Sequence, residues 1–82
     1  MQIIYLDASD LQSAADVHRQ LKLLLDLPDY YGGNADALHD CLSERREPVS
    51  VALRHAPHGE AAAALQKARM VVEDLGGNWT EL

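Results

Sequence analysis

Two aspartates one helical turn apart, Asp36 and Asp40, with His39 beside them, are the residues of this 82-residue chain best placed to do chemistry. Carboxylates at that spacing could serve as a general acid and base, the histidine could join the chain's other histidines in a metal site, or the carboxylates could present fixed negative charge to a basic partner. The first option finds little support, because no nucleophile-and-base motif accompanies the pair and so short a chain has little room for a substrate-enclosing pocket. The second fares no better. His55 and His58, in the spacing His-Ala-Pro-His, could begin a metal site that His18 and His39 complete. Zinc sites, however, show paired ligand clusters at tight spacing, and the single Cys41 falls on the apolar side of its helix, as a core residue would. No enzyme activity, metal or cofactor is expected. What remains is charge offered to a partner.

The distribution of charge favours that option. Thirteen Asp and Glu stand against seven Lys and Arg, for a net charge of −6. Such a balance repels phosphates and argues against direct binding of DNA or RNA. Five of the acids, Asp26, Asp29, Asp36, Asp40 and Glu44, lie between positions 26 and 44 with no Lys or Arg among them. The rest of the chain is almost neutral. The same window holds Tyr30 and Tyr31, a residue type enriched in binding surfaces. Successive helical residues advance by ~100°, so Asp36 and Asp40 lie ~40° apart on one side while Leu38 and Leu42 point the other way. Like charges at this spacing cost about 0.2 to 0.5 kcal/mol. Stabilisation of the helix dipole accounts for Asp36 in the first turn, but not for Asp40 in mid-helix or Glu44 near the negative end.

The elements that must hold these residues follow from periodicity and breakers. Residues 2–6 are β-branched and aromatic without strict alternation, which predicts a strand buried on both faces. Ser13 with Asp16 three residues on reads as a capping-box variant, and Ala14, Val17, Leu21, Leu24 and Leu25 keep helical spacing until Pro28 forces a stop. Residues 28–33 form a loop, Asn34 caps a helix that runs to about Glu44, and residues 49–53 form a second strand after Pro48. A loop at 55–59 leads into a long helix from Glu60, whose apolar positions Ala61, Leu65, Ala68, Val72 and Leu75 share one face. Gly76 and Gly77 end it. Residues 78–82, with Trp79 as a core residue, predict a short third strand. Strands separated by helices imply right-handed crossovers. The expected fold is thus α/β, one domain over residues 1–82 with a small three-stranded parallel sheet packed against three or four helices. A lone cysteine and the lack of any ~18-residue apolar run point to a reducing cytoplasm and away from a membrane.

The stretch Leu27-Pro28-Asp29-Tyr30-Tyr31-Gly32-Gly33-Asn34-Ala35-Asp36-Ala37-Leu38-His39-Asp40-Cys41-Leu42 resembles the signature of the barstar family, intracellular inhibitors of a secreted bacterial ribonuclease. The pattern is long and gapless, and the element order on either side agrees with it. The resemblance implies a barstar-like fold and a protein that plugs the active site of a barnase-like microbial ribonuclease, monomeric when free. It implies that Asp40 is the principal acid, set among the enzyme's basic catalytic residues, and Asp36 a flanking acid. It makes Tyr30 a ring packed on the enzyme, with Gly32 and Asn34 shaping the same surface and Tyr31 beside them. The chain departs from the family at two of these positions. His39 stands where the family often has Trp, and the acid contributed by the last helix falls near Met70 or Val71, leaving Glu73 as the nearest substitute. These departures leave open an alternative, an immunity or regulatory module of the same fold with a different toxin or enzyme target.

Overall fold

The computed structural model describes residues 2–82. The first strand, β1 (Gln2–Asp7), is followed by two helices, α1 (Ala14–Leu25) and α2 (Ala35–Ser43), then by β2 (Val49–Arg54), α3 (Glu60–Asp74) and β3 (Trp79–Glu81). All three strands are parallel in the order β1-β2-β3, with Ile4 beside Val51, Leu6 beside Leu53 and Val51 beside Trp79. This is the α/β fold the sequence implies, with three helices.

The helices form one layer and the sheet another. Ile4 and Leu6 of β1, Val49, Val51 and Leu53 of β2, and Trp79 of β3 bury against Val17, Leu21 and Leu25 of α1, Leu38 and Leu42 of α2, and the stripe of Ala61, Ala64, Leu65, Ala68, Val71 and Val72 on α3. Three alanines in that stripe leave room for close helix packing. One expectation fails here. The first strand is buried on one face only: Ile3 is 56% and Tyr5 72% exposed, because every helix lies on the opposite side of the sheet.

The ends of the elements are set by named contacts. Ser13 caps α1, its Oγ accepting from the Asp16 amide at 3.1 Å. The reciprocal bond of a capping box is displaced by one residue, since the Asp16 carboxylate accepts from the Gln12 amide, and that bond holds its pKa below the usual value. Arg45, just past α2, donates to the Gln2 side chain at 2.7 Å and to the Leu25 carbonyl, tying β1 to the ends of α1 and α2. At the end of α3 the chain turns through Gly76 (φ 89°), with the Gly76 amide bonded to Glu73 O and the Gly77 amide to Val72 O. Gly77 then passes so close to β2 that a Cβ there would lie 1.9 Å from the Val49 carbonyl oxygen.

Candidate partner-binding surface

The surface begins where α1 stops. Asp26 adopts the left-handed conformation (φ 51°) and its amide bonds back to the Leu23 and Lys22 carbonyls, which ends the helix before Pro28 can clash with it. Leu27 is buried and anchors the loop, and the Tyr31 amide donates to Pro28 O at 2.9 Å to close a turn. The two tyrosines consequently part company. Tyr31 is half-buried, its phenol oxygen 2.5 Å from Nδ1 of His18 on α1 and the two rings inclined at 52°. Burial pushes the Tyr31 pKa up to about 12, with Cys41 adding to it, and burial lowers that of His18. The phenol therefore keeps its proton and donates it to the neutral imidazole. Tyr30, its neighbour, is 79% exposed.

Asn34 then starts α2, its Oδ1 accepting from the Ala37 amide at 2.8 Å. Because Leu38 and Leu42 are buried, helical geometry turns Asp36, His39 and Asp40 outward, and all three are exposed together with Gly32 and Asn34. The acids differ in how far they are already matched. Asp29 lies 3.8 Å from Lys22 Nζ, whereas Asp36, Asp40 and Glu44 have no ion-pair partner among the described residues. Among the described residues nothing neutralises their charge by an ion pair.

The groove between α2 and α3 extends this surface. It encloses about 260 Å³ and is lined by Asp36 and His39 on one side and by Lys67, Met70 and Asp74 on the other. Glu73, the acid expected from the last helix, lies elsewhere: it pairs with Arg69 at 3.3 Å, and Arg69 lines the cleft on the Trp79 side of α3. Asp74 is the acidic residue that the fold brings to the groove. Glu73 and Asp74 stand three and four residues after Met70, so spacing alone does not choose between them.

The histidines are dispersed. His18 is committed to Tyr31, His55 Nδ1 lies 3.0 Å from Asp7 Oδ1, and His39 stands on the open side of α2. Among the described residues no group of three or more His, Cys, Asp and Glu is placed to hold a metal ion. Cys41 is half-buried against the core and Trp79 is buried within it. Among the described residues no helix is long and apolar enough to cross a membrane.

The fold is thus a small α/β scaffold that presents an acidic helix, an exposed tyrosine and a shallow groove on one side. The family it comes from is shown by comparison: the model of the family described as Barstar (barnase inhibitor) matches residues 1–82, and the chain belongs to that family. Members of this family are inhibitors and not enzymes. One relative is the proposed ribonuclease inhibitor YrdF of Bacillus subtilis (strain 168), 49% identical over 43 residues. That match takes in 52% of this chain and 47% of the relative, so it spans about half of the relative's length.

Proposed function

We propose that this protein inhibits a cognate microbial ribonuclease, of the barnase-like kind, by covering its basic active site with the 28–44 loop-and-helix surface. The observation that carries the reading is the set of uncommitted carboxylates on rigid α2, with Asp40 and Asp36 exposed beside Tyr30 on a chain of the barstar family. An enzyme that cleaves RNA holds Arg, Lys and His where phosphates bind, and fixed carboxylates satisfy those groups as phosphates would. Asp40 enters that site, Asp36 flanks it, and Tyr30 supplies rigid contact area with Gly32, Asn34, Tyr31 and His39 around it. Asp74 in the α2–α3 groove is better placed than Glu73 to add the acid of the last helix. The protein acts in the bacterial cytoplasm, as an immunity protein or antitoxin does, and binds no nucleic acid itself.

The test is inhibition of RNA cleavage by a candidate ribonuclease at stoichiometric inhibitor. Asp40→Ala is expected to weaken inhibition at least tenfold, about 1.4 kcal/mol, and more than any other single alanine substitution on the surface. Full ribonuclease activity at excess inhibitor, across the ribonucleases encoded beside this gene, would leave the fold and remove the function. The second reading, a changed target, is favoured by His39 and Met70 standing where the family carries Trp and an acid. Capture of a toxin other than a ribonuclease on the intact surface, lost with Asp40→Ala, would establish it.

A further inference from the structure

One side of α3 stays open beside α2 and carries a row of its own. Glu60, Ala63, Lys67, Met70 and Asp74 follow the three-and-four spacing that aligns residues along one side of a helix, and each of them is exposed. The row borders two adjoining depressions. One, of about 620 Å³, opens where α1, the start of α2 and the first half of α3 meet, and is lined by Glu60, Ala63 and Lys67 of α3 and by Gly33, Asn34 and Asp36 at the head of α2. The other is the α2–α3 groove. Asp36 and Lys67 line both, so the two make one trough that runs on from the proposed surface. Charge alternates along the row. Glu60 and Asp74 each stand seven residues from Lys67, about 10.5 Å along the helix axis, which is too far for either to pair with it. At three and four residues on either side of Lys67, where a helical ion pair forms, stand Ala63, Ala64, Met70 and Val71. Lys67 therefore has no ion-pair partner among the described residues, whereas Arg19, Lys22 and Arg69 are met by Asp16, Asp29 and Glu73.

We infer that Lys67 is a specificity-determining contact, which takes a carboxylate of the ribonuclease from a segment of that enzyme lying along the trough, with basic groups on either side of the acid. The inference rests on the proposed function and adds to it. Charge complementarity selects this occupant. Glu60, Asp36 and Asp74 call for cations, which an RNA-binding enzyme carries in number, and Lys67 calls for one acid set among them. A phosphate chain meets three carboxylates for one ammonium and is repelled. Gly33, Ala35 and Ala63 leave the trough open to an incoming segment, and a segment that covers it takes Lys67 out of water. A cation removed from water without an acceptor is costly, and one set against a like charge is costlier still. A ribonuclease that offers only basic groups to this row is therefore disfavoured. Asp40 and Asp36 answer to the phosphate-binding groups that any such enzyme shares, whereas Lys67 answers to an acid that only some of them carry, and so separates one basic ribonuclease from another.

The test uses the full chain in complex with a microbial ribonuclease that it inhibits stoichiometrically, and times dissociation by displacement with excess inhibitor. Dissociation is the readout because changing Lys67 also alters the long-range field, which acts on association. Lys67→Met is expected to dissociate about tenfold faster than the wild type, and Lys67→Glu about a hundredfold faster. Both should unfold thermally as the wild type does, since Lys67 is exposed. Replacing the surface acids of the ribonuclease with Lys, one at a time, is expected to find a position whose change weakens binding of the wild type and restores that of Lys67→Glu. If Lys67→Glu leaves no faster than the wild type while Asp40→Ala does, the inference is overturned and the proposed function stands. A ribonuclease with no position that rescues Lys67→Glu overturns it as well. If the wild type inhibits no ribonuclease, the function and the inference fall together.

Discussion

The hydrogen bond between Tyr31 and His18 connects the core to the surface proposed to meet a partner. Tyr31 is buried enough to stay a phenol and His18 enough to stay neutral, so the loop carrying Tyr30 is fixed to α1 by a donor and acceptor whose states agree. Tyr31→Phe removes the donor and leaves Nδ1 unpaired, at an expected cost of about 1 to 2 kcal/mol in chemical denaturation. Protonation acts on the same bond. The pKa of His18 lies below its ordinary 6.5 in the folded chain, so below that pH the unfolded chain binds the extra proton first. Stability from this group is complete above 6.5 and is expected to fall as the pH drops through 6.5 towards the lowered value, with no further loss beneath it. His18→Gln should flatten that portion of a stability profile measured by urea unfolding. Asp7 titrates much lower, at about 2, because the Ser9 amide and His55 hold its charged form, so its contribution is lost only in stronger acid.

At the scale of elements, α2 depends on one cap. Asn34→Ala removes the bond to the Ala37 amide and is expected to cost about 1 kcal/mol by thermal unfolding, with a parallel loss of inhibition because Asp36 and Asp40 ride on that first turn and the next. Gly77→Ala should be more damaging, by about 3 kcal/mol or more in the same measurement, since a Cβ there overlaps the backbone of β2. Most of this architecture was legible in the sequence, because caps, glycine stops and helical stripes are local signals: Ser13, Asn34 and Gly76 each stand at the boundary their chemistry implies. What escaped depends on neighbours distant in sequence. Nothing in Ile3 or Tyr5 says that all three helices gather on the other face of the sheet. Nothing in the pair Tyr30-Tyr31 says which ring turns inward, because that is decided by His18 thirteen residues earlier. Glu73 and Asp74 are adjacent in the chain but sit on different sides of α3, and only the packing of α2 against α3 selects between them.

For the molecule as a whole, the net charge of −6 has a location and therefore a consequence for kinetics. Asp36, Asp40, Glu44 and Asp74 lie on or beside the helical surface, while the sheet face is balanced. Under the proposed function, a basic ribonuclease approaching in solution is expected to be drawn to that surface before any contact forms, which would raise the association rate and leave dissociation to the short-range contacts. At 0.15 M salt the screening length is about 8 Å, and at 1 M about 3 Å, so the long-range part is expected to fade over that interval. In stopped-flow mixing with the cognate ribonuclease, the association rate should drop at least tenfold between low and high salt while the dissociation rate changes far less. Lys67 offers an internal control, because it places a positive charge in the groove between Asp36 and Asp74. Lys67→Ala makes the surface more negative without adding a contact, so association should quicken at low salt and the gain should disappear at high salt. A rate indifferent to salt and to Lys67 would mean that the carboxylates do not act through their field, and the imitation of phosphate would then fail as the mechanism.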